Sequence, residues 1–468
     1  METKIQTTNE RSAGQGGHDY GSANYRTFVL LWLTLVYALN FIDRILITVV
    51  GRPIIEEFNL SNFQFGLLTG FAFAVFYTFL GIPIAHWSER TSRVKIIGFS
   101  IILWSAATAL CGLTAGFMSL LFARIIVGVG EAGSTPPSNS LICDYYKPNK
   151  RPGALGIYAM GSLLGGFLAY LFGGLFIQSF SWRETFIYLG LPGILIGLVV
   201  LLAIKEPPRG YSDPDVSSKL ELTTLKEALL ELKRKPTFWF VTLAVSVSGF
   251  AAYSFTSFQP LYIQYNFDVS PGIAAIYYMA PLAFAGAVGS MLSGFLIQRL
   301  SKRINHASIW VSSLTLLASV PFLLFGYMAG SKTVMLSAFL LGTFFQYFYI
   351  GASFDIVQSV TSQRVRATAI AVLLLFTNLI GYGFGPPLTG ALADMFTGNF
   401  LHSLPLSNGL DGNCNPRNSD LSSELIQNCI DSKAHGARWS MSVTTLTILL
   451  ASFFMFMSLK TIDKDKNI

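Results

Sequence analysis

The chain has 468 residues, of which 52% are hydrophobic and only 12% charged. A soluble domain carries roughly twice that charged fraction, and a mean hydropathy of +0.52 leaves too little polar surface for the three or so globular domains the length would otherwise suggest. The 39 Phe and 19 Tyr exclude a disordered chain, the four Cys exclude a disulfide scaffold, and the net charge of +7 has to be located before it can be read as a nucleic-acid signal.

Residues 1–27 are polar and rich in Gly and Ser, carry no signal-peptide pattern, and read as a disordered N-terminal tail. From residue 28 onward, long uncharged runs alternate with short charged clusters. A helix needs about 20 apolar residues to cross a ~30 Å hydrocarbon core. Runs 58–88, 96–123, 152–182 and 185–204 meet that length. Two further segments meet it with charges inside: 28–50 holds Asp43 and Arg44, and 117–142 holds Arg124 and Glu131. Together they give spans 1 to 6, residues 28–204. The connection 205–236 follows. Its stretch 219–232 (KLELTTLKEALLEL) spaces apolar residues at helical period, as an amphipathic helix on the membrane surface would, or a solvated linker helix. Runs 236–267, 269–298, 304–331, 333–354, 367–393 and 439–459 supply spans 7 to 12, residues 237–459. A long loop is expected over 397–437 and a C-terminal tail over 460–468. Membrane β-barrels alternate over ~10-residue strands, so runs of this length exclude one. The expected fold class is all-α integral membrane, with twelve transmembrane helices in two six-helix halves.

An even number of spans puts both termini on one face. That face collects 24 of the 32 Lys and Arg, the opposite face has six, and Arg44 and Arg124 lie within spans. The bias places both termini in the cytoplasm of a plasma or inner membrane. The basic charge is therefore a topology signal, and no basic stripe interleaved with aromatics suggests a nucleic-acid partner. The 397–437 loop then faces outward, where Cys414 and Cys429 are expected to form a disulfide. Cys111 and Cys143 read as small apolar fillers. The sequence has no Gly-Lys dipeptide, hence no phosphate loop and no ATP hydrolysis. Its five His have no metal-ligand spacing, and no Ser/His/Asp set can be assembled. The expectation is a non-enzyme without metal or cofactor, driven by a proton gradient.

Short patterns recur between the halves. Gly81-Ile-Pro-Ile-Ala-His-Trp-Ser-Glu89-Arg90-Thr-Ser-Arg93 is echoed by Gly294-Phe-Leu-Ile-Gln298-Arg299-Leu-Ser-Lys302-Arg303. Gly161-x-x-x-Gly165-Gly166 is echoed by Gly381-x-x-x-Gly385-Pro386. Offsets of about 210–220 residues fit a duplicated transporter with a central site. On these motifs residues 28–459 resemble the major facilitator superfamily. The 2–3 loop is similar to its signature G-x-L-[AG]-D-R-x-G-R-[RK], with Glu89 in place of Asp and Ala85 in place of Gly. The chain further resembles the spinster-like branch, as a bacterial member. The first half carries this likeness in Asn40-Phe-Ile-Asp43-Arg44, Arg124-x-x-x-Gly128-x-Gly130-Glu131-Ala132, Leu141-x-x-Asp144-Tyr-Tyr, Trp182-Arg183-x-x-Phe186 and Pro192-Gly193. The second half carries it around Gln358, Arg366-Ala367 and Gly385-Pro386. The resemblance implies a central cavity and proton-linked or facilitated transport of lysolipids, sphingoid phosphates or similar amphiphiles. It also implies that Glu89, Arg90 and Arg93, echoed by Arg299, act as a cytoplasmic latch holding the halves together when the cavity faces outward.

Charges inside a membrane are costly and ask for a reason. Asp43, Arg44, Arg124 and Glu131 sum to zero. Arg124 and Glu131 are two turns apart on one helix face, ~10 Å along the axis, while Asp43 and Arg44 point ~100° apart. The resemblance sets spans 1 and 4 side by side, so cross-helix pairing is expected: Asp43 with Arg124, or Arg44 with Glu131. A carboxylate whose Arg partner moves away takes up a proton, which makes the quartet a candidate proton switch. The alternative is a lock between spans 1 and 4, which an apolar contact would provide more cheaply. The second half offers aromatics instead, and Tyr253, Phe258, Tyr278 and Tyr347 are expected on the cavity wall. One charged wall and one aromatic wall suit an amphiphile. The expected function is alternating-access secondary transport of such a molecule by a monomer amid membrane lipids. A transporter of small organic anions, such as sugar acids or siderophores, is the alternative. A non-transporting scramblase-like protein or sensor is a third reading.

Overall fold

The computed structural model describes residues 19–213, 225–362, 364–404, 415 and 422–466. Among them there is no strand. Twelve helices are long and apolar enough to cross a membrane. In chain order, spans 1 to 6 are Ala23–Val49, Asn62–Gly81, Arg93–Cys111, Phe117–Tyr145, Arg151–Ser179 and Trp182–Ala203. Spans 7 to 12 are Pro236–Phe267, Pro271–Leu300, Ala307–Met328, Lys332–Val360, Thr368–Ser403 and Ser423–Lys460. Serine caps set several starts. Ser22, Ser92, Ser270 and Ser422 each accept a backbone N–H three residues on. Ser61 and Ser181 form capping boxes with Gln64 and Glu184. Each cap satisfies donors that the first helical turn leaves without an intrahelical partner.

The spans are not uniform rods. Single π-helical segments interrupt span 2 at Leu67–Phe71, span 8 at Ala274–Met279 and span 11 at Thr377–Phe384. Span 4 breaks between its helices Phe117–Ala132 and Thr135–Tyr145, and span 10 between Lys332–Gln346 and Tyr349–Val360. Such interruptions concentrate at functional sites.

Two expectations change. The 397–437 loop is helical at both ends: span 11 runs to Ser403 and span 12 starts at Ser423. A hydropathy run stops at charges such as Asp394, Lys433 and Arg438, whereas a capped helix continues past the apolar layer. Cys429 is buried and disulfide-bonded, and its expected partner Cys414 lies outside the described residues. In the linker, the described helix is Leu225–Lys233, and 219–224 lies outside the described residues. It is docked beneath the second half. Its Glu231 accepts from the Ser362 backbone N–H at 3.0 Å and from its hydroxyl at 2.9 Å, and the Trp239 indole donates to the Leu232 carbonyl. Leu225, Leu229 and Leu230 stay exposed on its outer face.

The halves meet toward the face opposite the termini. There the backbones of spans 2 and 11 touch: a Cβ added at Gly66 would stand 2.5 Å from the Pro386 carbonyl oxygen, and one at Gly390 2.2 Å from that of Asn62. The Asp394 carboxylate reaches across and accepts from the Asn62 backbone N–H (2.8 Å), the Asn62 amide (2.8 Å) and the Phe63 backbone N–H (2.9 Å). It thereby caps span 2 from the other half. Toward the termini the halves separate, and the space between them reaches Gly156, near the start of span 5.

Candidate functional site

The four intramembrane charges sit together where spans 1 and 4 cross. Arg44 donates Nη2–H to Glu131 Oε2 at 2.9 Å. Glu131 is fully buried and Arg44 nearly so. Asn40, one turn earlier on the same face of span 1, accepts from the same Arg44 nitrogen at 3.3 Å. The guanidinium is enclosed by rings whose centroids lie 4.5 Å (Phe73), 4.9 Å (Phe41), 5.0 Å (Tyr77) and 5.7 Å (Tyr382) away. A planar, weakly hydrated cation tolerates such faces, which an ammonium would not match. Tyr382 comes from span 11 of the other half and stacks on Tyr253 of span 7 at 4.4 Å. Both halves therefore build the cage around one arginine.

Of the two expected pairings, Arg44–Glu131 forms and Asp43–Arg124 is corrected. Arg124 is fully buried and donates to the backbone carbonyl of Asp43 at 3.2 Å, not to its carboxylate. Neither Asp43 nor Arg124 has an ion-pair partner among the described residues. The cause is the ~100° step between adjacent helical residues: with Arg44 turned to Glu131, the Asp43 side chain turns toward Trp104 of span 3. Several polar atoms of the cluster have no hydrogen bond: Arg44 Nε, Arg124 Nε and Nη2, Glu131 Oε1 and Asn40 Nδ2. A charged network satisfied only in part is energetically expensive; the unmet N–H groups can donate to a polar guest, and Glu131 Oε1 can take a proton.

Beside the cluster lies a cavity of about 570 Å³, in the size range of small-molecule sites. Arg44 is the one charged side chain on its described wall. Tyr253 and Tyr347 line it as expected. Phe258 does not: five residues from Tyr253 is about 140° around a helix, and Phe258 is buried edge-on against Phe65 of the other half at 5.8 Å. Tyr278 is also off the wall, packed at the margin of the core.

The latch residues separate into two groups. Glu89, Arg90 and Arg299 are exposed, and the ion pair Glu89 makes is local, to His86 Nδ1 at 3.2 Å. No ion pair joins the two halves on this face among the described residues, in keeping with a cavity that opens there. Arg93 is corrected: it is buried inside the first half, paired with the Asp144 carboxylate and with Glu206 Oε1 at 2.7 Å. Partial burial pushes Glu206 up, but the Val94 N–H, Arg93 and Ser92 outweigh it and hold the carboxyl below its usual range.

Sequence reasoning missed the cage. Phe41, Phe73, Tyr77 and Tyr382 are aromatics among many, and their signal is only spacing: Phe41 and Arg44 at i, i+3, and Phe73 and Tyr77 at i, i+4, share helix faces.

A family profile described as Major Facilitator Superfamily matches residues 33–386. The crystal structure of a bacterial homolog to human lysosomal transporter, Spinster, inward-facing and unoccupied, is 40% identical with a TM-score of 0.89, covering 95% of this chain and 99% of that one. An MFS-type efflux pump of Mycolicibacterium smegmatis is 27% identical, over 78% of this chain and 84% of the pump. The hexuronate transporter of Bacillus subtilis is 24% identical, over 82% and 91%. The chain belongs to the Major Facilitator Superfamily and is a spinster-like, multi-pass membrane transporter.

Proposed function

We propose that this transporter carries an amphiphile with an anionic head group, such as a lysolipid or sphingoid phosphate, by proton-coupled alternating access. The observation that carries the reading is the Arg44–Glu131 pair at the edge of a cavity otherwise lined by aromatic and uncharged side chains. Arg44 is the one cation on that wall, so it is the natural seat for an anionic head. The rings of Tyr253 and Tyr347 offer apolar surface to a chain. An anion drawn to Arg44 competes with Glu131, and a carboxylate released from its cation in a dry site takes a proton. Substrate and proton then exchange for the same partner, with Asp43 and Arg124 as the adjoining charges. The charge bias of the loops supports cytoplasmic termini in a plasma or inner membrane, and hence an inward-open cavity here.

A second reading, transport of sugar acids, is supported by the similarity to a hexuronate transporter. Proteoliposome uptake separates the two. With an imposed pH gradient, lysophosphatidate should accumulate and glucuronate should not. Gradient-driven glucuronate uptake without lysophosphatidate uptake would replace the first reading by the second.

A further inference from the structure

The internal duplication pairs the charged site with an uncharged counterpart. Helices Phe117–Ala132 of span 4 and Lys332–Gln346 of span 10 begin 215 positions apart, and each ends at the break in its span. At that offset Glu131 corresponds to Gln346. Spans 1 and 7 begin 213 positions apart, which sets Arg44 two residues from Gln259. Arg124 corresponds to Phe339, which is buried among apolar neighbours. The second half thus has a neutral polar side chain where span 4 has Glu131 and an apolar one where span 4 has Arg124.

Both glutamines line the cavity. Gln259 is 3% exposed and Gln346 1%, and the side-chain Nε2 of each has no hydrogen-bond partner. Burying an amide without a partner costs free energy, and an apolar residue would fill either position without that cost. Pro260, next to Gln259, also has no N–H to give the Thr256 carbonyl, and Thr256 is on the same wall. Two independent spans therefore each place a cavity-lining glutamine with an unpartnered amide nitrogen beside the space that Arg44 faces from the other half.

We propose that Gln259 and Gln346 form a second binding subsite, which takes an uncharged hydroxyl or carbonyl group of the substrate while its anionic group is held at Arg44. The subsite deepens the proposed function, since it asks for a substrate bearing a neutral polar group some way from its charge, as the glycerol ester of a lysolipid does. It does not need the amphiphile reading, because sugar acids also carry hydroxyls.

Two ligand pairs test it on the purified full-length protein in nanodiscs: lysophosphatidate against hexadecyl phosphate, and glucuronate against hexanoate. In each pair the second member keeps the anion and has no neutral polar group. Wild type should favour the first member of the pair it binds. Gln346→Leu and Gln259→Leu should each weaken that member about fivefold, the worth of one neutral hydrogen bond, and leave its partner unchanged. Retained binding of the partner shows that the variants fold. Equal weakening of both members, or no effect on either, overturns the subsite. Selectivity seen only with the glucuronate pair supports the subsite and overturns the amphiphile reading. Absence of binding by all four ligands overturns both.

Discussion

Arg44 holds two roles at once: it neutralises Glu131 and it is the cation exposed to the cavity. Removing one member of a buried pair leaves the other uncompensated, at a cost of about 3–5 kcal/mol. Arg44→Met should therefore lower thermal stability strongly, and Arg44→Met with Glu131→Gln should recover most of the loss. Additive losses in the double variant would mean that the two side chains are not coupled. The four charges were legible because an ionisable residue inside an apolar run stands out. Which carboxylate faces which cation was not legible, because a single ~100° step between Asp43 and Arg44 decides it. The aromatic cage was hidden by abundance, in a chain with 39 Phe and 19 Tyr.

Among the elements, spans 2 and 11 form the seal opposite the termini. Their approach needs Gly66 and Gly390, where any Cβ would strike backbone, and Asp394 crosses the interface to cap span 2. These contacts break when that face opens. Asp394→Ala should weaken only the closed form, and labels on spans 2 and 11 should report a larger population separated at that face by double electron–electron resonance. An unchanged distance distribution would mean that the cap does not bias the seal. The Arg93 clamp behaves differently, because it ties the first half to the start of the connection that leaves it and does not reach the second half. Glu206 sits below the usual carboxylate range, so its contribution is present above the unfolded value of roughly 4.3 and is lost as pH falls through the folded value. Glu206→Gln should thus destabilise at pH 7, and in thermal unfolding the loss should shrink as pH is lowered below the unfolded value. Spans were readable from run length. The breaks in spans 4 and 10 were not, since hydropathy reports how long an apolar segment is and not how its backbone is wound.

At the scale of the whole molecule, the two halves touch toward one face and part toward the other, with the Arg44 cage built from both at the junction. The duplicated architecture was legible from motifs recurring at offsets of about 210–220. The chemical difference between the halves lies at the cavity, which Arg44 of an ion pair lines from one half and two glutamines line from the other. Alternating access requires the seal to open in each cycle. Asn62→Cys with Asp394→Cys, oxidised to a disulfide, should abolish transport and keep ligand binding from the termini-bearing face. Transport that persists in the cross-linked protein would contradict the rocking mechanism.

The coupling role of the Arg44–Glu131 pair is tested most directly by pH-gradient-driven uptake in proteoliposomes containing Glu131→Gln. The account predicts that accumulation driven by the gradient is lost while substrate exchange across the membrane at equal pH continues. Gradient-driven accumulation that survives in Glu131→Gln, and also in Asp43→Asn, would contradict it.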